Sequence, residues 1–274
     1  MTDAMTNRET RKYMLNDFIN KLKIKKGDIL LITENSLTLL MTIKRIDKTL
    51  NSNVSIDNIF DIFLDKIIEK LGDNGTLLIQ TFDWGFCQGK KFDILNSKSK
   101  TSFLGNIAIK RDDFIRTKHP IYSFAVTGKY KVELENLNNI GAFDIGSPFH
   151  FLYEKQAKMI IIDIPIQKSF TFAHYVEEMK RVNYRYNKSF TSTYIDKYNK
   201  ESIRTYDMYV RDIENNILAY FEPLEKLFTK AKVMHKYKID ELIIRKIDLF
   251  KAYNIIENDI RNNKAQSLYK IGVS

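Results

Sequence analysis

The sequence predicts an α/β fold, and two observations carry the prediction. Ile29–Thr33 and Thr76–Phe82 are short, continuous apolar runs, the pattern of strands buried on both faces. Between them, Ile56, Ile59, Phe60, Phe63, Ile67 and Leu71 recur at helical spacing and form one stripe. Strand, amphipathic helix and strand in that order make a βαβ-type unit.

Taken along the chain, Glu9–Leu22 has apolar residues at helical spacing, and Gly27-Asp28 turns into the first strand. Ser55 is placed to cap the central helix, and Gly72 to end it in a left-handed conformation. Asp83–Gly105 is rich in Gly, Lys, Ser and Asn and reads as a long irregular segment, a length that usually signals function. Ile121–Thr127 and Met159–Pro165 read as strands, and Thr171–Tyr184 as a helix. Ile203–Val210 alternates like a half-exposed strand. Asn216–Lys230 and Leu249–Arg261 read as helices, with Ile239–Ile244 a strand between them. Without a repeat or a Pro/Gly/Ser linker, one domain over residues 1–274 is expected.

Composition narrows the function classes. One cysteine, Cys87, excludes an internal disulfide and fits a reducing compartment, so the expected location is the cytoplasm. No run approaches the ~20 apolar residues of a membrane-spanning helix, and no membrane insertion is expected. The net charge of +10 comes mostly from lysines interspersed with acids. That is a solvated surface or an anion site, not the compact basic stripe with stacking aromatics that a nucleic-acid partner needs. Four scattered histidines and one cysteine give no metal-ligand spacing, so no metal is expected.

The chemistry points to Ser169-Phe-Thr-Phe-Ala-His-Tyr-Val-Glu177. His174 and Glu177 lie three apart at the start of a helix, on one face. A carboxylate beside an imidazole fixes its tautomer and steadies the protonated form, as a general base requires. Cys87, in the long loop, has no base beside it in sequence, so an inert thiol is favoured over a nucleophile.

Four fragments then carry a resemblance: Gly75-Thr-Leu-Leu-Ile-Gln-Thr-Phe82; His119-Pro-Ile-Tyr-Ser-Phe124 with Gly128; Gly146-Ser-Pro148; and Thr171-Phe-Ala-His-Tyr-Val-Glu177 followed by Tyr184-Arg185-Tyr186. In order and spacing the chain resembles the aminoglycoside 3-N-acetyltransferase family. Trp84-Gly-Phe-Cys-Gln-Gly-Lys-Lys-Phe-Asp93 and the Tyr-Arg-Tyr sequence look more like members found beside surface-polysaccharide genes.

The resemblance implies a three-layer α/β/α fold with a central mixed, largely parallel sheet. It implies an N-acetyltransferase using acetyl-CoA as co-substrate, with a small-molecule amino-sugar acceptor and a homodimer as the candidate assembly. His174 becomes the base and Glu177 its partner, with Thr171 a candidate oxyanion or substrate contact. Arg116, His119, Ser123 and Ser36 become candidates for the CoA side, although a loop-orienting role serves His119 equally well. Trp84, Phe86 and Lys168 are candidate acceptor contacts. Lys168, Lys90 and Lys91 suggest an anionic acceptor, such as a nucleotide-linked amino sugar of surface-glycan assembly. The alternatives are an aminoglycoside-antibiotic N3-acetyltransferase and a non-catalytic anion-binding protein of the same fold.

Overall fold

A computed structural model describes residues 15–50 and 53–272. Residues 15–21 form the described part of the first helix (α1). The remainder of Glu9–Leu22 before residue 15 lies outside the described residues. Strand β1 (Ile29–Glu34) leads into α2 (Ser36–Ile46) and α3 (Ile56–Leu71), and the chain returns as β2 (Thr76–Gln80). Ser55 caps α3 by accepting a hydrogen bond from the Asn58 N–H, as its position predicts. Gly72 ends the helix at φ 61°, a positive value that favours glycine, though its ψ of −176° lies outside the left-handed helical region. β1 and β2 pair in parallel, so the predicted βαβ unit is present.

The sequence reading places no element over α2, although Leu39 and Ile43 recur at helical spacing and Asn35 caps it by accepting from the Thr38 N–H. Beyond β2 come β3 (Phe92–Asp93), α4 (Phe103–Ala108), β4 (Ile115–Arg116), β5 (Phe124–Gly128), α5 (Lys131–Asn136), α6 (Pro148–Glu154) and β6 (Lys158–Ile162). Asp83–Gly105 is therefore not wholly irregular. It holds a short 3-10 turn, and β3 pairs with a later strand. Gly105 seats α4 on the end of β2, where an added Cβ would run into the Gln80 carbonyl oxygen.

Next come α7 (Ile166–Ser169), α8 (Phe172–Met179), β7 (Arg185–Ile195), β8 (Glu201–Arg211), β9 (Ile217–Ala219) and α9 (Glu222–Lys230). The chain closes with β10 (Met234–Ile239), β11 (Leu242–Asp248), α10 (Leu249–Asn262) and β12 (Tyr269–Ile271). Three expectations change here. Helix α8 stops at Met179, and Arg181 turns the chain at φ 49°. The segment Asn216–Lys230 opens as strand β9. Its helix begins only at Glu222, because Pro223 fits the first turn of a helix and not its interior. Ile239–Ile244 is two strands joined by a turn at Asp240, which has φ 55°.

Among the described residues the main sheet has seven strands in the order β10-β11-β6-β1-β2-β5-β4. It is mixed, as expected, with its parallel part confined to β6, β1 and β2. Alternation along β1 sends Leu30 and Ile32 to one core and Leu31 to the other. Helices α1 to α4 cover the first face and α5, α6, α8, α9 and α10 the second, giving three layers. A separate sheet, β3-β7-β8, stands beside this body; its β7–β8 hairpin pairs eleven residues on each strand. No helix among the described residues is long and apolar enough to cross a membrane.

Candidate active site

The parallel strands β1, β2 and β6 end on one side of the sheet, where open α/β sheets bind ligands. The segment after β6 becomes α7 and α8 and carries His174; the segment after β2 carries Trp84. The β7–β8 hairpin closes over this edge. Trp84, Tyr122, His174, Arg185, Met208, Tyr209, Arg211 and Ala219 line a cavity of about 450 Å³.

His174 and Glu177 meet as their spacing requires: Nδ1 lies 2.7 Å from Glu177 Oε2. Glu177 is fully buried. Burial opposes its charge, but Arg185 and His174 outweigh that cost and hold the carboxyl below its ordinary range. An ionised carboxylate only accepts hydrogen bonds, so Nδ1 carries the proton and Nε2 keeps its lone pair. Nε2 has no hydrogen-bond partner among the described residues, and the ring lines the cavity between Phe143 and Phe221. Burial, aided by the Arg185 charge and opposed by Glu177, keeps the imidazole pKa below its ordinary value. The imidazole is therefore neutral at neutral pH.

Arg185 is the third member of this group. Its Nε lies 2.8 Å from the same Glu177 oxygen, and its Nη1 donates to the Tyr209 carbonyl at 3.2 Å. Sequence reasoning noted Tyr184-Arg185-Tyr186 as a motif without giving Arg185 a role. Arg211 sits opposite Arg185 across the hairpin, and both line the cavity. Arg211 forms no ion pair among the described residues.

The other candidates are placed differently. Trp84 is 38% exposed at the cavity wall, edge-on to Tyr122 at 6.2 Å. Phe86 is buried against Tyr206 and offers no free face for stacking. Lys168 is exposed and does not line the cavity, and Lys91 pairs with Glu201. Gln167 holds the wall instead: its amide accepts from the Phe221 N–H and donates to the Ala219 carbonyl. Thr171 starts α8 without a side-chain cap and is not among the lining residues.

The four CoA candidates act as internal braces. Arg116 is 5% exposed and donates to Ser123 Oγ and the Thr81 carbonyl. Ser123 is buried and donates to the same carbonyl. His119 is buried, accepts from the Tyr122 N–H on Nδ1 and faces the Asp207 carbonyl on Nε2; burial pushes its pKa down to about 4. Ser36 donates to Glu34 Oε1 at 2.7 Å and accepts from the Phe103 N–H. Glu34 is itself buried at the starts of α2 and α4. Ser36, Ser102 and the Leu104 N–H all bind its Oε1, while Oε2 has no partner; burial pushes this carboxyl up to about 7.

Glu178 is partly withdrawn from solvent. Burial, then Asp144 and Asp207, raise its pKa to about 7, and buried oxygens of Glu178 and Asp144 have no partner. Burial likewise lifts the Cys87 thiol to about 11, the state of an unreactive thiol. Among the described residues no group of three or more His, Cys, Asp or Glu is arranged to hold a metal ion.

A buried imidazole–carboxylate pair opening on a cavity at the strand ends of an α/β sheet is the equipment of an enzyme that moves a proton during group transfer. The family model described as aminoglycoside 3-N-acetyltransferase matches residues 50–260, and the chain belongs to that family of N-acetyltransferases. No curated protein sequence matches it. Solved structures do. The aminoglycoside acetyltransferase AAC(3)-Xa is 15% identical with a TM-score of 0.72, covering 91% of this chain and 93% of that one. AAC-IIIb in a binary complex with CoASH is 15% identical, TM-score 0.71, covering 93% and 97%. Sisomicin-bound AAC-VIa is 16% identical, TM-score 0.71, covering 92% and 98%. At these identities the likeness establishes the fold.

Proposed function

We propose that this chain transfers an acetyl group from acetyl-CoA to the primary amine of an amino sugar. The observation that carries this reading is the His174–Glu177 pair, with Nε2 facing the cavity. A sugar ammonium must lose a proton before its nitrogen can attack a thioester. Nε2 takes that proton and releases it to solvent; as the neutral amine attacks, the N–C bond forms, Nε2 takes the second proton from the nitrogen, the C–S bond breaks, and that proton passes to the leaving thiolate. Glu177, held ionised by Arg185, stabilises the imidazolium between those steps. Both substrates bind together and no acyl-enzyme forms. The chain acts as one domain in a reducing cytoplasm, in keeping with its single free thiol.

The acceptor we infer is anionic, a nucleotide-linked amino sugar of surface-glycan assembly. Its support has moved from the lysines to the hairpin. Arg185 and Arg211 stand directly opposite each other, a like-charge pairing that costs stability. Glu177 balances one of them, leaving Arg211 to face a phosphate while Trp84 offers a ring to the base. One observation favours the antibiotic reading instead. Burial, then Asp144 and Asp207, raise the Glu178 pKa, burial and Asp207 raise that of Asp144, and Glu178 lies one helical turn from His174, so a second ammonium would be welcome there.

Two measurements test the reading. His174→Ala should lower kcat by ~10²–10⁴-fold with the fold intact, and Glu177→Gln by less. Near-normal turnover in His174→Ala removes the base assignment. Turnover of nucleotide-linked amino sugars against gentamicin-type drugs, at two salt concentrations, decides the acceptor. A nucleotide-sugar advantage that shrinks in salt supports Arg211; a large advantage for the drugs favours the carboxylates.

A further inference from the structure

Acetyl transfer in the cavity asks for more than a proton acceptor. When the amine attacks the thioester, an electron pair moves from the C=O bond onto oxygen, and that oxygen needs a hydrogen-bond donor already in place. Thr171, the candidate for that task, does not line the cavity. The side chains that do line it leave few free donors. The Tyr209 hydroxyl is committed to the Val182 carbonyl at 2.7 Å. His174 Nδ1 faces Glu177, and Arg185 is shared between Glu177 and the Tyr209 carbonyl. The neutral donors that remain in the wall are Trp84 and Tyr122.

Tyr122 is fixed on every side. His119 Nδ1 accepts from its N–H, and the carbonyls of Ile121 and Ser123 accept from the Asp83 and Thr81 N–H groups. Phe82 holds its ring at 4.9 Å, Phe143 at 4.8 Å and Phe149 at 6.3 Å. Phe143 also packs on the His174 ring at 5.7 Å, so the phenol and the imidazole share an aromatic neighbour as well as a cavity. A tyrosine hydroxyl set among such rings ordinarily finds an acceptor. Among the described residues nothing accepts from this one, which opens on the cavity. Trp84, edge-on to the ring at 6.2 Å, has only an N–H to give. Phenylalanine would fill the same space, so packing does not account for the hydroxyl. Burial outweighs Trp84 and Arg185 and keeps the phenol pKa above its ordinary value, so the proton stays on oxygen at neutral pH.

We infer that Tyr122 is a catalytic residue of the acetyl transfer proposed above, its hydroxyl donating to the thioester oxygen as negative charge collects there. No proton leaves the phenol. The electron pair returns toward carbon as the C–S bond breaks, and the oxygen becomes that of the product amide. The three phenylalanines hold the ring before substrate arrives, so the hydrogen bond strengthens in the transition state without reorganisation.

Thiol release from acetyl-CoA with an amino-sugar acceptor, compared in the wild type, Tyr122→Phe and His174→Ala, tests the assignment. The hydroxyl has no protein acceptor, so Tyr122→Phe should fold as the wild type does, which circular dichroism verifies. Its kcat should fall by ~10²–10³-fold, the usual loss for one oxyanion donor. Both KM values should stay near those of the wild type, because the bond matters only in the transition state. With a dithioester analogue of acetyl-CoA, whose C=S sulfur is a poor acceptor, the gap between wild type and Tyr122→Phe should narrow; an equal gap with both donors overturns the role. Near-normal kcat in Tyr122→Phe while His174→Ala is inactive overturns Tyr122 alone and leaves the proton transfer by His174 standing. Near-normal turnover in both variants overturns the whole mechanism. A raised KM with kcat intact also overturns the assignment, since it makes Tyr122 a ground-state contact.

Discussion

Replacing Glu34 by Gln should make the stability of this protein less sensitive to pH, by an amount the structure sets. Glu34 Oε1 already accepts from Ser36, Ser102 and the Leu104 N–H, yet burial outweighs those bonds and lifts the pKa from 4.5 to about 7. A group whose folded pKa is raised contributes its full stability below the unfolded pKa and loses it as pH rises through the folded one. The window is therefore pH 4.5 to about 7. The shift corresponds to about 3 kcal/mol of stability lost by pH 8. Gln keeps an acceptor oxygen for the three donors and cannot ionise. Its amide nitrogen takes the place of the unpartnered Oε2, a cost that is present at every pH. The informative quantity is thus the change with pH in the difference between the two proteins. His119 and Glu178 titrate in both and cancel. Urea unfolding followed by circular dichroism at pH 4.5, 6, 7 and 8 should show Glu34→Gln gaining on the wild type by about 3 kcal/mol across the series. A difference flat to within about 0.5 kcal/mol would mean that Glu34 is not held in a desolvated pocket.

Three other outcomes follow from the site. The acid limb of kcat/KM should fall below pH 6.5, because burial and Arg185 depress the His174 pKa; a limb above that value contradicts the arrangement. Arg185→Gln removes the cation that lowers the imidazole pKa, so the limb should move to higher pH, and a shift the other way refutes the role given to Arg185. Cys87→Ala should keep most activity, since its thiol is pushed up to about 11; an acetyl group trapped on Cys87 and seen by mass spectrometry would reverse this.

What was legible in the sequence was local. The α3 stripe, its Ser55 cap and the His174–Glu177 contact all depend on residues within a few positions of one another, where periodicity fixes geometry. Long-range pairing was not legible. The resemblance offered Arg116, His119 and Ser123 for the CoA side, with a loop-orienting role serving His119 equally well, and His119 does accept from the Tyr122 N–H of its own loop. Bonds from these three also run to Thr81 and Asp207, far away in the chain. Arg185 reaches Glu177 only because Arg181 turns the chain back, and nothing in composition announces a positive φ at arginine. Asp144, Glu178 and Asp207 come from a loop, a helix and a strand that only the fold brings together. The residues whose charge bears on the acceptor were not legible either: Lys168 lies at the surface, and Arg211 lines the cavity.

The hairpin also bears on how this protein changes over evolutionary time. His174 and Glu177 sit on α8, packed into the main body, whereas Met208, Tyr209 and Arg211 belong to a small sheet standing beside it. Mutations in β8 can therefore remodel what the cavity accepts while the core, the His174–Glu177 pair and Arg185 on β7 stay intact. Drift there must respect a two-residue step, since a one-residue slip would turn Arg211 to the opposite face. Such a division lets one catalytic frame be inherited by enzymes with unlike acceptors, and directed evolution of specificity is best aimed at β8.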